Sequence, residues 1–247
     1  MSHTKQPLII SHRGASGEAP ENTMAAFKLG LEQGCDAFEL DVHLSKDGQL
    51  VVIHDGTIDR TTDGSGAINE LTVDELKAFD AGSWFKKEYT GERIPLLEEV
   101  FDHTPAHILI NIEVKGSYNQ QLEPALIELL KKKNRMDTVV ISSFDWKSLC
   151  YLKELEPQIK VGLLYNLCLD HHDKLPEAAG TNVYSLHPNG EKLDSHDIHR
   201  IQAANLRVYI WTINNEQQMR FALEAGVDGI ITDYPGQLKA LMAEINA

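Results

Sequence analysis

Short apolar runs separated by longer amphipathic stretches recur along the chain. The first, Leu8 to His12, reads as a buried strand that leads into the polar, Gly/Pro-punctuated loop HRGASGEAPENT. Asn22 then predicts the N-cap of a helix that carries Met24, Phe27 and Leu31 on one face and stops at Gly34. A second core strand is predicted from Ala37 to Leu44. Asp47-Gly48 follows it and marks a two-residue hairpin, because a type I′ turn needs positive φ at both central positions. With those two residues as the loop, Lys46 faces Gln49 and His54 comes opposite Asp41. The return arm, Leu50 to His54, runs antiparallel and cannot belong to an all-parallel sheet.

From Gly56 to about Ala106 the texture becomes polar and turn-rich, with one short helical pattern from Val73 to Phe79, so this stretch reads as an insertion. Its aromatic residues Trp84, Phe85 and Tyr89 predict a cap beside a binding site. Pro95-Leu96 opens a helix, LLEEVFDH, before the apolar run His107 to Val114. Further strands are predicted at Thr138 to Ser143, Lys160 to Tyr165, Asn182 to Leu186, Leu206 to Ile213 and Val227 to Thr232, with helices near 119–133, 145–156, 194–204, 215–225 and 236–245. Pro124 blurs the start of the first of these helices, and 168–180 has little pattern. Eight strands, each followed by a helix, predict a (β/α)8 TIM barrel with an inserted segment after strand two, a single domain over residues 1–247 with the insertion at about 56–106. A doubly wound sheet is disfavoured because no Gly-x-Gly-x-x-Gly turn follows the first strand.

Composition narrows the chemistry. A formal net charge of −14 argues against nucleic acid as a partner, so an anionic substrate must meet a local cluster of positive charge. Cys35, Cys150 and Cys168 are odd in number and widely spaced, which predicts buried structural thiols in a reducing compartment. MSHTKQPLII is too short an apolar run for a signal peptide, and no segment approaches a membrane span. A cytoplasmic enzyme without stable membrane association is expected, with a homo-oligomer left open.

In such a barrel, working groups lie at the C-terminal ends of strands. His12 and Arg13 end strand one, Glu39 and Asp41 end strand two, and Glu113 and Lys115 end strand three, with His54 joining through the hairpin. Two residues apart on a strand, Glu39 and Asp41 share a face at about 7 Å along the backbone. This cluster suits a hard cation beside a general acid or base, and taken alone it equally suits a solvated sheet face. The converging groups divide into three jobs. Glu39, Asp41 and Glu113 form an all-oxygen set for one divalent cation, Mg2+ or Ca2+. Arg13 and Lys115 bring positive charge for a phosphoryl group. His12 and His54 divide proton removal and donation. Trp211 is either a barrel-core aromatic or a flat wall against the substrate, and Phe144 stands the same way. Asp233 is expected to cap the last helix or to act through a water. His107 and His187 read as structural, and His171-His172 as a solvent-facing loop.

The ordered set His12-Arg13-Gly14, Glu21-Asn22-Thr23, Glu39-Leu40-Asp41-Val42, His54-Asp55, Arg60-Thr61-Thr62, Glu113-Val114-Lys115, Trp211-Thr212 and Asp228 to Pro235 resembles the glycerophosphodiester phosphodiesterases across nearly the whole chain. The resemblance implies a TIM barrel with an insertion after strand two that hydrolyses a small-molecule glycerophosphodiester to sn-glycerol 3-phosphate and an alcohol. By position it implies His12 and His54 as the acid/base pair, Glu39, Asp41 and Glu113 as metal ligands, and Arg13 and Lys115 as phosphate contacts, with Asn22 and Arg60 orienting the site loops. A related barrel phospholipase acting on intact lipid and a non-catalytic phosphodiester-binding module are the competing readings. Strong acidity and the lack of a basic amphipathic anchor weigh against the phospholipase.

Overall fold

The computed structural model describes residues 6–246. The expectation about a signal peptide, which starts from Met1, lies outside the described residues in its first five positions. The chain opens with β1 (Leu8–His12), α1 (Met24–Glu32), β2 (Ala37–Leu44) and β3 (Leu50–Val52). A short α2 (Val73–Leu76) precedes α3 (Leu97–His103). Strand and helix then alternate through β4 (Leu109–Val114), α4 (Leu122–Lys132), β5 (Val139–Ser143), α5 (Trp146–Leu155), β6 (Val161–Tyr165) and α6 (Leu175–Ala179). The alternation ends with β7 (Ser185–Pro188), α7 (Ser195–Ala203), β8 (Arg207–Ile210), α8 (Glu216–Ala225), β9 (Gly229–Thr232) and α9 (Pro235–Ile245).

The strand order β1-β9-β8-β7-β6-β5-β4-β2, closed by β1 against β2, makes a parallel eight-stranded barrel, with β3 antiparallel on β2. All eight residues of β2 are buried, but its two faces differ. Phe38, Leu40, Val42 and Leu44 face the surrounding helices as part of the main core, whereas Glu39 and Asp41 face the barrel interior. One edge of β2 serves two partners. Residues 37–39 pair with β1, and after His12 the same edge passes to β3, where Val42 meets Val52; β4 holds the other edge.

The hairpin differs from the expected register by one residue. Leu44 pairs with Leu50 and Ser45 N donates to Gln49 O at 3.0 Å, so the loop is Lys46-Asp47-Gly48. Only Gly48 is left-handed in this loop (φ 76), as a three-residue turn closed by a glycine bulge requires. Asp41 therefore sits opposite Ile53, whose N–H donates to Asp41 O at 3.1 Å. His54 lies past the end of the ladder, where its side chain is free to turn back over the barrel mouth. The cap of α1 also moves by one. Thr23 Oγ1 accepts from Ala26 N, whereas Asn22 takes a left-handed backbone (φ 56) that aims its amide elsewhere.

Between β3 and α3 the chain builds a second apolar cluster on Val51 and Ile53, filled by Ile58, Ile68, Leu76, Ala81 and Ile94. Helix α3 lies within residues 56–106 yet buries Leu97, Val100 and Phe101 in the main core. Cys35 is buried, Cys150 half-buried and Cys168 exposed, so the expectation of three buried thiols fails at Cys168, which lies on the open loop after β6. The weakly patterned 168–180 stretch holds α6, and His172 there is not solvent-facing. It is buried, with Nδ1 2.9 Å from Tyr165 Oη, because the loop folds back over the end of β6; His171 is exposed. Among the described residues no helix is long and apolar enough to cross a membrane.

Asp80 is the polar anchor of the second cluster. Its carboxylate accepts from Gly82 N at 2.9 Å, Ser83 N at 2.7 Å and Gly91 N at 2.7 Å, and these bonds hold its pKa below the usual carboxylate range. Asp80→Ala is expected to open the 82–94 segment while the barrel stays folded. Limited proteolysis should then cut there well before global unfolding; cleavage no faster than in the wild type would assign the segment's order to its apolar contacts alone.

Candidate active site

The strand alternation that hides aliphatic residues under the helices turns His12 of β1, Glu39 and Asp41 of β2, and Glu113 of β4 into one end of the barrel. Asp41 and Glu113 are direct cross-strand partners, and His12 is the partner of Glu39. Arg13 and Lys115 follow at the strand ends. Arg13 holds a left-handed backbone (φ 54) that points its N–H at Glu39, at 2.9 Å to the carbonyl and 3.2 Å to Oε2. Local strain of this kind is maintained by surrounding contacts and is common where a side chain must be aimed.

Glu39, Asp41 and Glu113 are buried, and each offers an oxygen within 4.8 Å of the others. Arg13 Nε lies 3.3 Å from Asp41 Oδ2, and Lys115 Nζ lies 2.6 Å from Glu113 Oε1 and 3.4 Å from Asp41 Oδ1. Asn22, whose side chain donates to Asp41 Oδ2 at 2.8 Å, orients that carboxylate. Asp41 Oδ1 has no hydrogen-bond donor. Three buried acids facing two cations, one of which is shared with Glu21, leave an excess of negative charge. An oxygen-only set with an orphaned carboxylate oxygen fits a hard divalent cation.

Burial and the neighbouring carboxylates, Asp41 first, push Glu39 well above the usual carboxylate range and Glu113 up to about 7. Burial opposes the charge on Asp41 as well, yet Arg13, Lys115 and His54 together hold its pKa down. Without a cation, Asp41 carries the charge and its two neighbours tend to keep their protons.

Each histidine is held by a carboxylate. His12 Nδ1 is 2.6 Å from Asp233 Oδ1, and Asp233 is fixed in turn by Ser16 Oγ at 2.9 Å and Asn214 Nδ2 at 2.6 Å. His54 Nδ1 is 2.6 Å from Asp55 Oδ1. Arg60 grips Asp55 through Nε at 2.7 Å and Glu21 through Nη1 at 2.7 Å, and Glu21 also binds Arg13 Nη1 at 2.8 Å. A carboxylate on Nδ1 keeps that nitrogen as the donor and leaves Nε2 for the cavity. For His12, Nε2 points toward Glu39 Oε2, 3.8 Å away. Burial lowers the pKa of His54, with Arg13 and Lys115 adding to the shift and Asp41 opposing it, so His54 is mainly neutral at neutral pH.

All eight residues expected at the site line or border one cavity. Its polar side carries His12, Arg13, Glu39, His54, Glu113 and Lys115, with Asp41 beneath them; Trp211, Phe144 and Leu164 form an apolar wall. Trp211 Nε1 donates to His187 O at 2.7 Å, and its ring meets Phe144 edge-on at 5.7 Å. Asp233 differs from the expectation. It contacts His12 directly because it continues the inner face of β9 beyond Ile231, while Tyr234 takes the N-cap position of α9. Glu21 and Asp55 stand in the motif runs Glu21-Asn22-Thr23 and His54-Asp55, but the sequence assigns neither a role. The aromatic cap is not found. Trp84 and Tyr89 each meet Phe85 edge-on, Tyr89 Oη donates to Glu18 O at 3.1 Å, and none of the three lines the cavity.

Residues 12–237 match the model of the glycerophosphoryl diester phosphodiesterase family. The chain is 42% identical over 234 residues to a glycerophosphodiester phosphodiesterase of Caldanaerobacter subterraneus subsp. tengcongensis, covering 94% of this chain and 96% of that one. It is 36% identical to a glycerophosphodiester phosphodiesterase of Bacillus altitudinis, covering 96% and 98%. Among solved structures, an Oleispira antarctica phosphodiesterase in complex with the product sn-glycerol-3-phosphate superposes with a TM-score of 0.89 at 34% identity, covering 96% of this chain and 97% of that one.

The raised carboxylates carry a stability consequence. Between the ordinary glutamate pKa and about 7, folded Glu113 holds a proton that the unfolded chain has released, so its contribution falls as pH rises through that window. In excess chelator, the Tm of the wild type relative to that of Glu113→Gln should fall between pH 5 and pH 8. An equal slope in Glu113→Gln would place the pH dependence elsewhere.

Proposed function

Since the chain belongs to the glycerophosphoryl diester phosphodiesterase family, we infer that it hydrolyses glycerophosphodiesters to sn-glycerol 3-phosphate and an alcohol, as one phosphodiesterase domain over residues 1–247 interrupted at about 56–106. The observation that carries this reading is the meeting of two carboxylate-held imidazoles over one carboxylate and cation cluster. The substrate is a small molecule, and on this reading the acidic chain takes no nucleic-acid partner and enters no stable membrane association. The free thiols fit the cytoplasm.

Arg13 and Lys115 receive the phosphoryl oxygens, where their charge stabilises the transition state. A Mg2+ or Ca2+ ion held by Glu39, Asp41 and Glu113 would draw further negative charge from the same oxygens. One histidine, through Nε2, takes the proton of the substrate's glycerol 2-hydroxyl. That oxygen forms a bond to phosphorus while the bond to the departing alcohol breaks, and the other histidine protonates the alcohol. The 2-hydroxyl is tethered to the phosphoryl group, so this attack has the proximity advantage of an intramolecular reaction. With roles reversed, the pair directs water onto phosphorus, the ring bond breaks, and the proton returns to the 2-oxygen. Asp233 and Asp55 keep both rings in the tautomer that exposes Nε2.

Glycerol 3-phosphate should be released from glycerophosphocholine, should stop in excess chelator and should return with a divalent ion. Glu39→Ala, Asp41→Ala and Glu113→Ala should each raise the ion concentration required. Release only from lipid vesicles would favour a phospholipase, and binding without turnover a sensing module. His12→Ala and His54→Ala should cost about 10²-fold or more in kcat, the usual scale of general acid–base catalysis. Asp233→Asn should lower kcat while leaving KM near the wild-type value; an unchanged kcat, or a loss confined to KM, would reduce Asp233 to a packing role. A 2-deoxy analogue should bind yet turn over very slowly, whereas hydrolysis near the natural rate would replace the cyclic route with direct attack by water.

A further inference from the structure

Beneath the catalytic carboxylates the barrel interior is polar at positions that barrels of this architecture usually fill with branched aliphatic side chains. Asn111 of β4 pairs in register with Glu39 and precedes Glu113 by two residues on the same face. Ser142 of β5 is the neighbour of Glu113. His187 of β7 lies against Gly162, where a Cβ would come within 2.4 Å of its Nε2, and that nitrogen meets Ser185 Oγ at 2.7 Å. Four atoms of this layer, Asn111 Nδ2, Asn111 Oδ1, Ser142 Oγ and His187 Nδ1, are buried and have no hydrogen-bond partner. Buried polar groups are normally paired, and an amide open at both ends is the largest deficit in the layer. Of the three residues only Asn111 lines the catalytic cavity.

We propose that Asn111 hydrogen-bonds the terminal hydroxyl of the substrate's glycerol moiety and makes the pocket selective for glycerol. The proposal rests on the reading of the site as a glycerophosphodiesterase. A hydroxyl donates one hydrogen bond and accepts others, which complements an amide that is open as both acceptor and donor. The amide is uncharged, so it does not compete with the carboxylates for a cation or with Arg13 and Lys115 for the phosphoryl group. The 2-hydroxyl is committed to the histidines, which leaves the terminal hydroxyl for recognition. The variable alcohol must depart toward solvent past the exposed ring of Phe144, so the glycerol end points inward to the floor where Asn111 lies. A site built to bond a hydroxyl rejects the analogue that lacks it, because its own polar atoms are then left unpaired.

The test compares binding of sn-glycerol 3-phosphate with that of propane-1,2-diol 1-phosphate, which lacks only the terminal hydroxyl. Both are titrated calorimetrically into the full chain with saturating Mg2+. The wild type should bind the glycerol phosphate about tenfold tighter, as one neutral hydrogen bond allows. Asn111→Leu, which keeps the branch at Cγ but removes both polar atoms, and Asn111→Ala, which creates no overpacking, should bring that ratio close to one. A purely structural role would weaken both ligands in parallel and preserve the ratio. A preserved ratio in the folded variants, or a wild-type ratio near one, overturns the proposal. Failure of the wild type to release glycerol 3-phosphate from glycerophosphocholine would overturn the assigned reaction instead, and the binding ratio would still decide the role of Asn111.

Discussion

Three carboxylates cannot all be ionised inside a barrel without compensating charge, and the arrangement around this site follows from that constraint. Glu39, Asp41 and Glu113 are brought together by strand pairing, not by choice of loop, so their repulsion is built into the barrel. Arg13 and Lys115 offset part of it and are held at the strand ends for the same reason. The neutralisation extends outward in a chain of alternating charge. Asp41 binds Arg13, Arg13 binds Glu21, Glu21 binds Arg60, and Arg60 binds Asp55 beneath His54. His54 and the carboxylate cluster are thus parts of one electrostatic network, and a change of charge at any member is felt along it.

The barrel was legible because its signal is periodic. Buried parallel strands read as apolar runs, and the amphipathic stretches between them as helices, which in the structure open on the side-chain caps of Asp145 and Asn215. The convergence of the candidate site residues was legible for a related reason, since ionisable groups at the ends of strands in a barrel fall on one rim. Hairpin register was not, because Asp47-Gly48 fits both a two-residue and a three-residue loop, and the choice turns on Ser45, whose hydroxyl accepts from Gln49 N at 2.9 Å. His54 still reaches the site because, in the observed register, it lies beyond the paired residues.

What stayed hidden were partners distant in sequence. Nothing local to Asp233 announces His12, and a residue followed by Tyr-Pro-Gly reads as a helix cap. Arg60 and Glu21 are 39 positions apart and meet only because the segment after β3 folds back beside the β1–α1 loop. The expected aromatic cap failed for a comparable reason, because sequence position places a segment near the mouth without showing which way its rings face. The segment's polar contribution, Arg60 on Asp55, proved more direct than its aromatic one.

The pairing of β1 with β9, and of His12 with Asp233 across 221 positions, has a consequence for the timing of synthesis. Strands that close the barrel are the first and the last to leave the ribosome, and such long-range contacts form late in folding. A nascent chain that lacks β9 has its cluster of acids but neither a closed wall nor the aspartate that sets the His12 tautomer. On the proposed mechanism, the site is therefore complete only once β9 has docked against β1.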